Sequence, residues 1–368
     1  MAAKIVIAGA VANKLGHGGE AWVRLSWVLG LERLGHDVAF VEQLTGATRP
    51  QRDYFDSTVD AFGLGGRAWL VDPREPAPEA LLDRAGEADL LVNISGHLTI
   101  DVVLARFRRK AYVDLDPGYT QLWEASGHGD GGLHRHDVFF TVGVNIGRPG
   151  CDLPTGGIDW RPVRPPVLLT DWPIARTDEP DRLTTVASWR GAYGRVEHEG
   201  RRYGLKLDEF RKVIALPARV PQRLELALEI HPDEERDLEQ LRRHGWQLTN
   251  PLEAAGTPDA FRNYLQQSGG EFSVAQGIYV ETSCGWFSDR TAGYLASGKP
   301  TLVQDTGFGD ELCADGGLVG FSTFDEAIAG AESISADYER HCRAARALAE
   351  REFASDVVLG RFLQDVQA

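Results

Sequence analysis

The stretch of sequence that decides the fold is YVETSCGWFSDRTAGYLASGKPTLVQDTGFGDE, residues 279–311. Tyr, Val and Thr within 279–282 favour an extended segment. A loop of small and aromatic residues then leads to a helix from Ser288 to about residue 297, because Ser288 suits the N-cap and an Asp follows it in the first turn. A buried strand at 301–303 and a glycine-rich loop at 305–311 complete the pattern. The order strand, loop, helix, strand, loop predicts part of a parallel α/β domain.

Both loops of this stretch are predicted to bind a ligand. The free N–H groups and the positive dipole end make the start of a helix a site for an anion. The second loop leaves the carboxyl end of a strand, where open α/β sheets place their ligands. Two such loops side by side predict a site for a nucleoside diphosphate. The residues expected around it are Trp286, Phe287, Ser288, Asp289, Arg290, Asp305, Thr306, Gly307 and Glu311.

The order of these features resembles the donor-binding half of the GT-B glycosyltransferases, especially the retaining family 4 type. Residues 286–288, Trp-Phe-Ser, stand where that family has Pro-Phe-Gly, and residues 295–300, LASGKP, match its helix end and turn. Gly285 and Gly293 stand where the family has a pair of glutamates. The chain is therefore expected to belong to a divergent branch.

The resemblance implies an α/β fold of two Rossmann-like domains that face a cleft, which is the GT-B architecture. Residues 1–165 are then the acceptor-side domain, to which a C-terminal helix at 355–368 returns. A proline-rich segment contains the linker, at 166–182. Residues 183–354 are then the domain that binds the nucleotide-sugar donor.

Length and composition limit the class of protein. A chain of 368 residues suits two domains of about 150–200 residues each. The net charge of −15 disfavours nonspecific binding to nucleic acid or to an anionic membrane. No segment approaches the roughly 20 apolar residues of a membrane helix, and the cysteines lack metal-site spacing. We expect a soluble cytoplasmic protein, from a high-GC bacterium in which natural-product tailoring is common.

A glycine-rich loop in the first domain permits two interpretations. Gly16, His17, Gly18 and Gly19 fit the pattern G-x-G-x-x-A, and Glu42 ends the next strand, which is the plan of a dinucleotide site. About eight residues separate the first strand from Gly16, whereas that fingerprint requires a tight turn. A glycine-rich loop facing the cleft is also what the GT-B resemblance implies. An NAD(P)-type dinucleotide-binding protein is kept as an alternative.

Two cations follow the first strand of the second domain, at 183–188. Arg190 and Lys206 match the Arg and Lys that neutralise the donor diphosphate in the GT-B proteins that this chain resembles. Cations beside phosphate groups form charge-assisted hydrogen bonds and stabilise a leaving nucleoside diphosphate.

His97 and Asp116 are the catalytic candidates, because each follows a predicted strand of the first domain. A neutral imidazole can accept the proton of an attacking hydroxyl, so His97 is predicted to be a general base or a substrate-orienting residue. The alternative is a histidine that caps the next helix. Asp116 is predicted to be a carboxylate that faces the cleft. With Asp114 it also matches the Asp-x-Asp metal motif of GT-A transferases, but we expect no metal site.

Three histidines lie in the glycine-rich segment SGHGDGGLHRHD, residues 126–137. A metal site could in principle use His128, His134 and His136. We do not favour it, since no Cys or acidic residue stands at ligand spacing from them. We expect a loop on the acceptor side with solvated histidines.

The predicted function is that of a glycosyltransferase acting on a nucleoside-diphosphate sugar, without a further cofactor. The acceptor is expected to be a small molecule or a glycan, and no nucleic-acid partner is expected. A nucleotide-sugar 2-epimerase of the same architecture is an alternative, although it needs carboxylates where Gly285 and Gly293 stand. The sugar, the base, the stereochemical outcome and the oligomeric state are left open.

Overall fold

The computed structural model describes residues 2–127, 129, 132–309 and 312–367, and in this part of the chain two parallel sheets form the centres of two domains. The elements of the first domain are β1 (Lys4–Ala8), α1 (Gly18–Arg33), β2 (Asp37–Gln43), α2 (Arg49–Ala61), β3 (Ala68–Val71), α3 (Glu79–Glu87), β4 (Leu90–Ile94), α4 (Asp101–Leu104), β5 (Lys110–Asp114), α5 (Tyr119–Ala125), β6 (Val138–Thr141) and β7 (Trp160–Pro162). The described strands of this sheet have the order β3-β2-β1-β4-β5-β6-β7.

Strand β1 shows why these segments form a buried parallel sheet. It pairs with β2 on one side and with β4 on the other, so Ile5 lies between Val38 and Leu90. Alternate side chains point to opposite faces, and both faces are covered. Ile5 and Ile7 belong to the core formed with α1, while Val6 and Ala8 belong to the core formed with α3. A strand buried on both faces is apolar throughout, as this one is.

The second domain repeats the same plan. Its elements are β8 (Arg182–Ser188), β9 (Glu197–His198), β10 (Arg201–Arg202), α6 (Lys206–Lys212), β11 (Arg223–Glu229), α7 (Glu235–Arg243), β12 (Gln247–Thr249), α8 (Pro251–Ala255), α9 (Pro258–Gln267), β13 (Gly270–Ser273), α10 (Gly277–Glu281), α11 (Asp289–Ala296), β14 (Thr301–Gln304), β15 (Leu318–Phe321), α12 (Phe324–Ala336) and α13 (Tyr338–Leu348). Helix α14 (Ser355–Gln367) follows this domain in the chain. The described strands have the parallel order β12-β11-β8-β13-β14-β15, apart from the small β9-β10 hairpin.

The chain crosses between the domains twice, and the two crossings lie side by side. Val167, on the way out, donates its N–H to Phe353 O at 2.8 Å, and Ser355 N donates to Val167 O at 2.9 Å. Helix α14 then packs on the first domain, where the Phe362 ring lies 5.0 Å from Trp27. The last helix therefore adds to the core of the first domain.

Residues 279–281 are helical and Thr282 is the C-cap, so the prediction of a strand at 279–282 is wrong. Residues Gly277–Glu281 form α10, and the strand of this unit is β13, which ends at Ser273. Tertiary context overrides the β propensity of Tyr and Val. At the start of α10 the backbone packs on another loop, since a Cβ on Gly277 would lie 2.6 Å from the backbone carbon of Gly204. The predicted helix after Ser288 and the predicted strand at 301–303 are present as α11 and β14.

No helix in the described part of the chain combines the length and the apolar character that crossing a bilayer requires.

Candidate functional site

The carboxyl ends of the two sheets face each other across one cleft. In each sheet the strand order reverses beside the first strand of the domain, at β1 and at β8, which is where open α/β sheets bind ligands. Contacts across the cleft join the two edges. The Tyr279 hydroxyl donates to Asp116 Oδ1 at 3.2 Å, and Asn145 Nδ2 donates to Gly307 O at 2.7 Å.

The start of α11 is open to an anion. Ser288 holds the N-cap position with extended backbone angles, φ −75° and ψ 133°, but its side chain caps no described N–H group of the helix. The first turn of an α-helix has N–H groups without a helical partner, and the dipole makes this end positive. The first-turn N–H groups that follow Ser288 are therefore available to an anion, and the binding of a diphosphate by Ser288 and Asp289 stays a prediction.

Lys206 supplies a cation beside this helix start. Its backbone N–H donates to Gln276 Oε1 at 2.8 Å, which fixes the first residue of α6. Its ammonium forms no salt bridge with any residue that the structure describes. Burial, and then the charge of Arg290, lowers the pKa of Lys206 to about 8. The charges of Asp289 and Glu271 act on this ammonium without forming a salt bridge, and a crowded ammonium of this kind is a candidate for binding a phosphate group.

Arg290 lies close by, but its guanidinium is held by the protein. Its Nε donates to Glu271 at 2.8 Å, one terminal nitrogen donates to Val186 O at 2.7 Å, and the other donates to Ser273 Oγ at 2.6 Å. Glu271 is fully buried. Arg290 therefore adds positive charge beneath the helix start and fixes the ends of β8 and β13.

Arg190 lies near Lys206 along the backbone, because the Gln276 side-chain amide donates to Arg190 O at 3.4 Å and accepts the N–H of Lys206 at 2.8 Å. Its guanidinium forms a salt bridge with Glu234, and 59% of its side chain is exposed. The structure thus brings the backbones of the two predicted cations to one glutamine, while the Arg190 guanidinium pairs with Glu234. The contact with the diphosphate that the sequence predicts for Arg190 would require this guanidinium to leave Glu234.

The aromatic residues of the loop have structural contacts. The Phe287 ring is buried against Phe308 and Phe353, with ring centroids 5.7 and 4.6 Å away. Trp286 is half-buried and packs on Tyr279 at 4.7 Å. Phe287 therefore anchors the loop in the core, while Trp286 borders the cleft.

The second loop is fixed by its own hydrogen bonds. Asp305 Oδ1 accepts the N–H of Gly307 at 2.8 Å, and the Thr306 hydroxyl donates to Trp286 O at 2.5 Å. Gly307 has a φ of +85°, and a Cβ there would lie 2.8 Å from Ser283 O. These bonds hold the two loops together. The predicted donor residue Glu311 lies outside the described residues.

The two glycines that replace the family's glutamates are packed closely. Gly285 has a φ of +77°, and a Cβ there would lie 2.7 Å from Val144 in the first domain. A Cβ on Gly293 would lie 3.3 Å from both Leu265 and Trp172. A glutamate at either position requires the neighbouring residues to move.

Asn145 connects the first domain to both loops, although no sequence pattern predicts this role. Besides the bond to Gly307, its side-chain amide donates to Ser283 O at 2.9 Å, and its backbone N–H donates to Cys284 O at 3.0 Å. The residue follows β6, so its position at the carboxyl edge could be inferred, but the contacts across the cleft could not.

The glycine-rich loop of the first domain does not form a dinucleotide cradle. The Glu42 carboxylate is buried and accepts N–H groups from Val11, Ala12 and Asn13 at 2.7, 2.7 and 2.8 Å. The acidic residue that a dinucleotide's ribose requires is thus bonded to its own loop. This geometry disfavours the NAD(P) alternative.

Gly16, Gly18 and Gly19 instead allow the second domain to approach. A Cβ on Gly18 would lie 2.0 Å from Thr257 O, and one on Gly19 would lie 2.8 Å from the Phe261 ring. A Cβ on Gly16 would lie 2.9 Å from Leu252. His17, between them, is exposed. The loop is therefore an interdomain contact at the base of the cleft.

We expect Gly18→Ala to destabilise the protein by about 1–3 kcal/mol, since a methyl group must be forced into a filled contact between the domains. Thermal unfolding measured by calorimetry checks this result. Gly86→Ala is the matched control, because Gly86 is an exposed glycine of α3 and a Cβ there has no described atom within 4 Å. Equal melting temperatures for the two variants would contradict the contact.

His97 lies in the cleft, in a turn that Asn93 holds. Asn93 Oδ1 accepts the N–H of Leu98 at 3.0 Å, and Asn93 Nδ2 donates to Leu98 O at 2.9 Å. Burial, with the charges of Arg24 and Lys14, lowers the pKa of His97 to about 4. The imidazole is therefore neutral at pH 7, but it is a weak base.

Asp116 bridges the two domains. It is half-buried, and it accepts hydrogen bonds from the hydroxyls of Tyr279 at 3.2 Å and Tyr193 at 3.3 Å. Burial, followed by the charges of Asp114 and Glu20, raises the pKa of Asp116 to about 6. This carboxyl is ionised at pH 7 and is a stronger base than His97.

Asp114 is a structural residue. Its Oδ1 accepts from Asp116 N at 3.0 Å and from the Thr120 hydroxyl at 2.7 Å. Its Oδ2 accepts from Gln121 at 3.0 Å and from Thr141 at 2.8 Å. With both oxygens occupied, Asp114 shapes the loop that carries Asp116. In the described part of the chain no group of His, Cys, Asp or Glu is arranged to hold a metal ion.

His136 is buried, so the expectation of a solvated histidine is wrong at this position. One ring nitrogen lies 2.9 Å from Gly132 O and the other lies 3.0 Å from Asn93 Nδ2, so the ring donates to the first and accepts from the second. His136 thereby supports the turn of His97. His128 lies outside the described residues, and His134 is exposed.

Comparisons by sequence give no match: no protein-family model matches the chain, and neither does any curated protein. Solved structures do match. An α-glucosyltransferase in complex with UDP and a 13-mer DNA containing an HMU base is 12% identical, with a TM-score of 0.64 over 100% of both chains.

A glycosyltransferase from Rickettsia africae is 13% identical, with a TM-score of 0.56 over 99% of this chain and 98% of the other. A putative UDP-N-acetylglucosamine 2-epimerase from Listeria monocytogenes is 14% identical, with a TM-score of 0.53 over 98% and 95% of the two chains. These likenesses confirm the predicted fold. The protein has the GT-B architecture of two Rossmann-like domains facing a cleft.

Proposed function

We propose that the protein is a glycosyltransferase that moves a sugar from a nucleoside diphosphate to an acceptor hydroxyl. The observation that carries this proposal is the Lys206 ammonium, which has no salt bridge to a described residue and lies near the charged residues at the open start of α11. A partly desolvated cation and free helix N–H groups together match a diphosphate. UDP is the first nucleotide to test, because an α-glucosyltransferase of this fold was solved with UDP.

The reaction places these groups in defined roles. The bond between the anomeric carbon and the phosphate oxygen breaks, and a bond from the acceptor oxygen to the same carbon forms. Lys206 and the N–H groups of α11 stabilise the negative charge that the departing diphosphate gains. The acceptor hydroxyl gives its proton to a base on the first domain.

Asp116 is the proposed base, and His97 is proposed to orient the acceptor. General bases act best when the pKa lies near the working pH, and a pKa of about 6 suits this better than one of about 4. The assignment belongs to an inverting transfer. In a retaining transfer, which the resemblance to family 4 implies, the leaving phosphate takes the proton. Membership of that family, the acceptor and the absence of a nucleic-acid partner stay predictions.

Calorimetric titration with UDP, dTDP, GDP and NAD tests the proposal. Binding of a nucleoside diphosphate but not of NAD is the expected result. Incubation of UDP-glucose with a panel of hydroxyl acceptors, and without any acceptor, then separates transfer from epimerisation, because only transfer yields a glycosylated product. NAD binding with no nucleoside-diphosphate binding would contradict the proposal.

We also expect the reaction to proceed without a divalent metal, because a lysine and a helix start supply the positive charge at the diphosphate. Protein treated with a chelator should retain its transfer rate. The measurement is the rate before and after treatment, with manganese added back as the control. A strict requirement for manganese would point again to Asp114 and Asp116.

A further inference from the structure

Glu20 and Arg24, on the first two turns of α1, form a charged pair at the cleft. The Arg24 guanidinium forms a salt bridge with the Glu20 carboxylate, four residues earlier on the helix. Arg24 is buried, with 4% of its surface exposed, whereas 39% of the Glu20 side chain is exposed. Burying an arginine is costly, so this placement requires a reason.

The protein is shaped to accommodate Arg24. A Cβ on Gly9, in the loop after β1, would lie 2.7 Å from Arg24 Cγ, so that only a glycine leaves room for the arginine stem. Arg24 Nε is buried and bonds to no atom of the described residues. The guanidinium is therefore incompletely satisfied by the protein, and a buried polar group of this kind requires an explanation.

Glu20 lies among charged residues of the candidate site. Burial opposes its ionisation, but Arg24, Lys14 and His17 outweigh burial and hold the pKa of Glu20 well below its usual range. After burial and the charge of Asp114, the negative charge of Glu20 also raises the pKa of Asp116, which lies in the same domain. Asp289 lies across the cleft, and its side chain is exposed. Desolvation by the surrounding protein, followed by the charge of Glu20, raises the pKa of Asp289 to about 6.

Ionised carboxylates accept hydrogen bonds and donate none. Glu20 comes from the first domain and Asp289 from the first turn of α11, so a ligand between them must supply several hydrogen-bond donors. A sugar ring supplies them as hydroxyl groups. The space between Glu20 and Asp289 is also where the donor sugar must lie, between a diphosphate at α11 and a base at Asp116.

We propose that Glu20 binds hydroxyl groups of the sugar that is transferred, and that Arg24 is the positioning residue that holds the Glu20 carboxylate in place. This inference rests on the proposed function. The fixed negative charge of Glu20 also stabilises the positive charge that develops on the anomeric carbon as its bond to the phosphate breaks.

The test compares Glu20→Gln with Glu32→Gln. Glu32 lies on the same helix, and its carboxylate pairs with Arg67 away from the cleft. Glu20→Gln should lower kcat/KM for UDP-glucose by roughly 10- to 150-fold, as expected for losing hydrogen bonds to a charged group. Its affinity for UDP, which lacks the sugar, should equal that of the wild type. Glu32→Gln should change neither quantity.

A second measurement excludes a merely structural role. Burial, followed by the charges of Asp114 and Glu20, raises the pKa of Asp116, whereas the Tyr279 hydroxyl and the charge of Arg24 lower it. The Tyr193 hydroxyl also donates to Asp116. Removing the Glu20 charge should lower the pKa of Asp116. The fall in rate at acid pH, which is the acid limb of the pH profile, should then occur at a lower pH. Arg24→Lys should retain more activity than Arg24→Met, because a lysine still pairs with Glu20.

The outcomes separate the two proposals. If the wild type binds UDP and transfers glucose but Glu20→Gln matches Glu32→Gln in kcat/KM and in acid limb, the role of Glu20 is overturned while the proposed function stands. If the wild type binds no nucleoside diphosphate, both are overturned.

Discussion

Asp116→Asn is expected to lose about 10²–10⁴-fold in kcat, the usual contribution of a general base. The amide keeps the shape of the side chain but accepts no proton at neutral pH. Affinity for UDP should change little, since Asp116 lies on the first domain while Lys206 and α11 lie on the second. Single-turnover rates and calorimetric titration measure the two quantities separately.

The pH dependence identifies which residue is the base. A base must be deprotonated to act, so the rate falls as the pH drops below its pKa. If Asp116 is the base, the acid limb of the wild type lies near pH 6, and the limb disappears in Asp116→Asn. If His97 is the base, the limb lies near pH 4.

His97→Ala is the control for this assignment. As an orienting residue, His97 should affect KM more than kcat, and its variant should keep the limb near pH 6. Asp116→Asn with full turnover, or a product whose anomeric configuration matches that of the donor, would overturn the role of Asp116. The carboxylate would then serve only to join the domains through Tyr193 and Tyr279.

The architecture could be predicted because it depends on patterns that are local in sequence. Apolar runs such as 5–8 predict buried parallel strands, and Ser288 followed by an acidic residue predicts the start of α11. The carboxyl ends of such strands must meet at one edge of a sheet. The general position of His97, Asp116 and the loop at 305–309 follows from that rule.

The partners of the site residues could not be predicted, because they depend on distant parts of the chain. Nothing near Arg190 in sequence shows that Glu234 draws its guanidinium away. Glu42 resembles a ribose ligand until its bonds to the first loop are known. The i, i+4 spacing of Glu20 and Arg24 indicates a helix-surface pair, whereas burial of Arg24 against Gly9 requires the folded structure.

Lys206→Ala is expected to weaken the binding of UDP by about 1.5–3 kcal/mol, which is the usual value of a hydrogen bond to a charged group and corresponds to roughly 10- to 150-fold. The loss should appear in the affinity for UDP itself, because we propose that the ammonium contacts the diphosphate and not the sugar. Arg190→Ala is the matched control. Its guanidinium is paired with Glu234 and mostly exposed, so the affinity of that variant should stay within about threefold of the wild type.

The same lysine makes binding depend on pH in a defined direction. Burial beside Arg290 lowers the pKa of Lys206 to about 8 in the unliganded protein, so the ammonium loses its proton as the pH rises past 8. The affinity of the wild type for UDP should therefore fall between about pH 8 and 9.5, whereas the weaker affinity of Lys206→Ala should stay constant over this range. Titration calorimetry at a series of pH values measures both. An unchanged affinity in Lys206→Ala together with a loss in Arg190→Ala would transfer the diphosphate contact to Arg190, because that guanidinium must then leave Glu234 when the nucleotide binds.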